Sequence, residues 1–64
     1  MGGRRGRRLP KEPVTLDIET LSHEGRGIAH HNGRVAFIQG ALPGATVDAK
    51  IHKRRRQQDE GQAL

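Results

Sequence analysis

The sequence predicts an all-β fold, a small antiparallel meander of four strands close to a five-stranded barrel that lacks its last strand. Three observations carry that expectation. Val14 to Thr20 and Thr46 to His52 alternate apolar and polar residues with a period of two, as a half-buried strand does. Asn32-Gly33 separates two apolar runs, which is the pattern of a two-residue hairpin. Two further turn-forming segments, Ser22 to Gly27 and Gly40 to Gly44, space the runs as short connections would.

Each element follows from its residues. In the first strand Val14, Leu16 and Ile18 share one face, with Thr15, Asp17 and Glu19 on the other. A helix would scatter these apolar positions, and β-branched side chains suit a pleated surface. The second and third strands, Gly27 to His30 and Arg34 to Ile38, flank Asn32-Gly33. A type I′ turn needs positive φ at both central residues, which Asn and Gly tolerate best. Val35 to Ile38 contains no polar residue, so this strand is expected to be buried on both faces, with Phe37 in the core. Pro43 has no amide hydrogen for a ladder and Gly44 permits a tight turn. The fourth strand places Val47, Ala49 and Ile51 inward, and residues 54–64 are expected to be an irregular polar tail leading to a truncated final strand.

Charge divides the chain. It has 64 residues, 12 Lys or Arg against 7 Asp or Glu, and a net charge of +5. Arg4, Arg5, Arg7, Arg8 and Lys11 form one cluster, and Lys53, Arg54, Arg55 and Arg56 form another. The segment between them is net acidic and holds most of the aliphatic residues. This reads as a disordered basic arm over residues 1–12, a folded unit over 13–53 and a basic tail over 54–64. A folded unit of this size without Cys is expected to need a further strand or a partner to cover it.

Several chemistries are excluded. With no Cys there is no disulfide framework, thiolate metal site or iron–sulfur cluster held by this chain. No apolar run reaches the ~18 residues of a membrane helix, and the expected location is cytoplasmic. Ser22, His23 and Glu24 are triad residue types, but consecutive side chains diverge and cannot form the relay. Gly25-Arg26-Gly27 lacks the third glycine of a dinucleotide loop. His30 and His31 point to opposite faces of a strand, which argues against a metal site. No catalytic, cofactor-binding or metal-binding residue is therefore assigned.

The basic clusters remain. Arginine grips phosphate oxygens at two points and stays charged at working pH, and clustered cations release counterions from a polyanion. Nucleic acid is the expected partner; an anionic membrane, another acidic partner or a merely solubilising role are the alternatives. With a single aromatic residue, binding is expected to rest on charge, loops and backbone shape rather than on a row of stacked bases.

Three segments add a resemblance. Ile18 to Ala29, containing Leu21-Ser22-His23-Glu24-Gly25-Arg26-Gly27, then Asn32 to Ile38, then Gly40-Ala41-Leu42-Pro43-Gly44, resemble the TRAM domain over about residues 13–53. They are most similar to the N-terminal TRAM domain of bacterial ribosomal RNA (uracil-5-)-methyltransferases. The resemblance implies an OB-like barrel that binds RNA, His23, Arg26 and Arg34 as RNA-facing loop residues, and a catalytic domain normally continuous with this chain. It also implies S-adenosylmethionine, a cysteine nucleophile and an iron–sulfur cluster in the larger enzyme, none of which has a matching position here. The arginines of the amino-terminal arm and Lys53 to Arg56 join the RNA-facing set on charge alone. A free-standing TRAM chaperone and a basic ribosome-associated protein with no enzymatic parent are the alternatives.

Overall fold

The structure is a computed structural model that describes residues 9–64. It contains β1 (Val14–Asp17), β2 (Thr20–Leu21), β3 (Gly27–His31), β4 (Arg34–Gln39), β5 (Thr46–Arg54) and β6 (Gln58–Ala63), and no helix among the described residues. One sheet runs in the order β1-β5-β6-β4-β3-β2 and curls into an OB-like half-barrel without a closing strand. Its two ends, β1 and β2, are joined by Ile18 and Glu19. The Ile18 amide donates to the Ala45 carbonyl at 2.9 Å and the Glu19 amide to the Ile28 carbonyl at 2.8 Å. One short stretch of chain thus touches both sides of the curled sheet.

The expected alternation is present. Leu16, Ile18, Ala29, Ala36, Ile38, Ala49 and Ile51 are buried and form the core with Ala41, and Val14, Val47 and Ala63 pack against it. The β3–β4 connection has φ of 53° at Asn32 and 76° at Gly33, as a type I′ turn requires. Across that hairpin Ala29 lies opposite Ala36 and Ile28 opposite Phe37.

Three expectations are corrected. First, residues 54–64 are not irregular: β5 runs on to Arg54, and Gln58–Ala63 form β6. Second, the sheet is mixed, because β6 lies between β4 and β5, parallel to the former and antiparallel to the latter. Gly61 makes that fit possible: a Cβ there would stand 2.3 Å from the Lys50 carbonyl oxygen. Third, Phe37 is not in the core. Ala36 and Ile38 are 2% and 0% exposed and point inward. The pleat therefore turns Val35 and Phe37 outward, where both are half-buried.

A bulge in β5 sets the facing of the second basic cluster. Ile51 pairs with Gly61 but Lys53 pairs with Glu60, so His52 is the extra residue. His52 and Lys53 are both exposed, and the facing of Arg54 is reversed relative to an unbroken strand. Arg54 lies opposite Asp59, on the inward side of β6.

Candidate nucleic-acid interface

The turn between β5 and β6 carries the second basic cluster, and a buried carboxylate holds it. Asp59 is 3% exposed. Its Oδ1 accepts from Arg34 Nε and Arg54 Nε, both at 3.0 Å, and its Oδ2 accepts from Arg54 Nη2 at 3.1 Å. Burial pushes the Asp59 carboxyl up, but the hydrogen bonds from Arg54 and Arg34, with their charges, outweigh it and hold the carboxyl below its ordinary range. The hydrogen bond to Asp59 also raises Arg54, against the opposing effect of desolvation.

Arg34 has a second task. Its Nη1 donates to the Arg56 carbonyl at 2.9 Å, and its Nη2 donates to the carbonyls of Arg55 and Gln58. One guanidinium thus satisfies the turn carbonyls of Arg55 and Arg56 and shares that of Gln58 with the Arg55 amide, which donates to it at 2.7 Å; together these bonds fix the turn. Arg34 and Arg54 are committed within the fold. Lys53, Arg55 and Arg56 stand exposed around the same turn. Arg55 Nε lies 3.5 Å from Glu60.

His23 and Arg26 sit in the loop between β2 and β3. Ser22 organises it: its hydroxyl oxygen accepts from the amides of Glu24 at 3.2 Å and Arg26 at 3.1 Å, and its own amide donates to the Arg26 carbonyl at 2.8 Å. The serine of the consecutive Ser-His-Glu run therefore has a structural role. His23 is exposed at the tip, while Arg26 is paired with Glu24 at 3.2 Å and Glu60 at 3.6 Å. The Glu60 carboxylate thereby links the β2–β3 loop to the β5–β6 turn, and the loop and the turn border one outward face.

That face has a feature that residue counting missed. His23, Arg26, Phe37, Gln58 and Glu60 line one shallow hollow, and His30, Val35, Phe37 and Gln58 line a second beside it. Phe37 and Gln58 belong to both. The signal for the outward ring was the Asn-Gly turn itself. Its register places Ala36 opposite Ala29 in the core and so sends Phe37 to the other face.

Arg4, Arg5, Arg7 and Arg8 lie outside the described residues. The described residues contain no group of three or more His, Cys, Asp or Glu that could hold a metal ion. With no Cys in the sequence, the donor set does not fit an iron–sulfur cluster, and no step is assigned to one.

A family model described as the TRAM domain matches residues 7–64. The 23S rRNA (uracil(1939)-C(5))-methyltransferase RlmD of Alkalilimnicola ehrlichii is 56% identical over 62 residues, which are 97% of this chain and 14% of that protein. The RlmD of Hahella chejuensis is 53% identical over 57 residues, covering 89% of this chain and 13% of its own length. That of Legionella pneumophila is 50% identical over 50 residues, 78% of this chain and 11% of its own. The chain thus spans only a small part of the relatives it matches.

Proposed function

The chain belongs to the TRAM domain family, and from that premise we propose that it is an RNA-binding module of a longer ribosomal RNA uracil-C5-methyltransferase. The observation that carries the reading is the 56% identity, over 97% of this chain, to a protein named for methylating 23S rRNA. In this reading the module supplies affinity and orientation in the cytoplasm, and a catalytic domain continuous with it performs the chemistry. S-adenosylmethionine would supply the methyl group to that domain; no residue of this chain is assigned to it.

The RNA-facing groups are Lys53, Arg55 and Arg56 on the β5–β6 turn, His23 and Arg26 on the β2–β3 loop, and Arg4, Arg5, Arg7 and Arg8 on the arm. Phosphate contacts fix register and orientation without reading sequence, which suits a positioning module. Arg34 and Arg54 serve this interface indirectly, by holding the turn through Asp59. A turn already fixed before binding saves part of the ordering entropy that a mobile loop would lose.

Salt dependence tests the reading. On single-stranded RNA, log K should fall with log salt by roughly 0.7 per phosphate contact. Replacing Lys53, Arg55 and Arg56 together by Gln should make the slope shallower by about 2. An affinity indifferent to salt, or a slope that the triple replacement leaves unchanged, overturns it.

A further inference from the structure

We infer that Phe37 is a stacking seat for an unpaired RNA base, so that this face distinguishes single-stranded from duplex RNA. The inference rests on the RNA-binding reading above and adds to it a contact that phosphate neutralisation does not supply.

The ring has no reason in the core packing to be where it is. Its strand neighbours Ala36 and Ile38 point inward and are 2% and 0% exposed, so Phe37 sits on the opposite side of the sheet. There it lies in a cross-strand row, with Ile28 opposite on β3 and Glu60 beside it on β6. Ile28 and Val35 are half-buried next to it, making a small apolar floor. Both hollows of this face meet at Phe37 and Gln58.

Size decides what covers this floor. A stable protein interface buries about 800 Å² per partner, and one half-buried phenyl ring with two aliphatic neighbours cannot approach that. It does match the flat face of one nucleobase, which every base presents whatever its sequence. The rim agrees. Gln58 and His23 offer donors and acceptors to a base edge, and His30 adds an imidazole on the other side. The charged groups about this face are Arg26 and Arg55, with Lys53 on β5 opposite Glu60, against Glu24, Glu60 and Glu19, whose carboxylate lies 3.2 Å from His30 Nδ1. Glu24 and Glu60 are paired with arginines and Glu19 with His30, so each carboxylate of this face already has a partner. Arg26 and Arg55 beside the ring are placed to meet the phosphates of a base stacked on it. In a duplex the base faces are stacked on one another and are not offered to the ring.

The test uses the 64-residue chain with a short oligouridylate and with a duplex RNA of equal charge, at one fixed salt concentration. Phe37→Ala should weaken binding of the single strand about fivefold to a hundredfold and leave duplex binding unchanged. Phe37→Trp should retain the affinity. Because the sequence has neither Trp nor Tyr, it also introduces a fluorophore whose emission reports directly on stacking. That emission should be quenched by oligouridylate and not by the duplex. Circular dichroism confirms that each variant keeps its strands. If the parent chain binds but F37A binds equally well and F37W emission does not change, the stacking inference is overturned while the RNA reading stands. The ring would then be cover for another protein segment. If the parent chain binds no RNA even at low salt, the RNA reading fails, and this inference with it.

Discussion

Replacing Asp59 by Asn tests the clasp that holds the β5–β6 turn. The carboxylate is almost fully buried and receives two guanidinium groups, each with a side chain 17% exposed. The amide keeps the shape but loses the charge, and its NH₂ would set a donor against Arg54 Nη2. Removing one member of a buried ion pair costs about 3–5 kcal/mol. The lower end applies here, because both arginines retain some water, so the expected loss is about 3 kcal/mol. A chain of this length has a total stability of roughly 3–10 kcal/mol, so the variant loses between about a third and all of it. The assay is urea unfolding followed by far-ultraviolet circular dichroism, since the sequence lacks Trp and Tyr. With a slope of about 1 kcal/mol/M for so small a domain, the midpoint should fall by about 3 M.

Acid supplies a second arm for the same prediction. The folded carboxyl of Asp59 lies below its ordinary value, so the unfolded chain binds the proton more readily. The clasp's contribution is therefore whole at neutral pH. It diminishes as the pH falls below about 4, the ordinary carboxylate value, and through the lower folded one. The difference between parent and variant should shrink over that interval. A midpoint shift below about 0.5 M at neutral pH, or a difference independent of pH, would refute the argument.

Four further outcomes follow from the same geometry. Arg34→Lys keeps the charge but cannot reach Asp59 and three carbonyls at once, so it should cost about 1–3 kcal/mol, measured in the same urea assay. Gly61→Ala drives a Cβ into the Lys50 carbonyl and should destabilise by about 3 kcal/mol or more, with loss of amide protection in β6 by hydrogen exchange. Ile38→Ala should cost about 2–5 kcal/mol, whereas Val35→Ala, three positions earlier on the outward face, should cost less than about 1 kcal/mol; equal losses would contradict the assigned facing. Gly27→Ala meets Ile18 and Ala41 at under 3 Å and should lower stability by about 1–3 kcal/mol, read as a fall in thermal midpoint.

The parts of the fold that local pattern could reveal were legible. Alternation over Val14 to Ile18 and Val47 to Ile51 identified the inward faces, and Asn32-Gly33 identified the hairpin. Strand β6 was not legible, because its inward positions are Asp59, Gly61 and Ala63, a charge, a glycine and a methyl group. None of these gives a hydrophobic beat. The carboxylate makes sense only beside Arg34, which is 25 residues away in sequence. The bulge at His52 further breaks the period of β5 just where the basic run begins. The run Val35 to Ile38 misled for the converse reason. An apolar stretch suggests burial on both faces, yet in this sheet the outward half of it lies open beside loops. Counting cations could not separate Arg34 and Arg54, which are internal ties, from Lys53, Arg55 and Arg56, which are exposed. That distinction depends on where one buried oxygen pair lies.

The insertion of β6 between β4 and β5 has a consequence for biosynthesis. Translation delivers this segment after its neighbours, yet it occupies the interior of the sheet, with the parallel ladder on one side and the antiparallel ladder on the other. At about 5–20 residues per second, β4 and β5 leave the exit tunnel with a slot between them that nothing upstream can fill. The nascent polypeptide must therefore wait for Gln58–Ala63 before the two halves of the sheet can join. A stalled chain ending before Gln58 would expose two unpaired strand edges to chaperones.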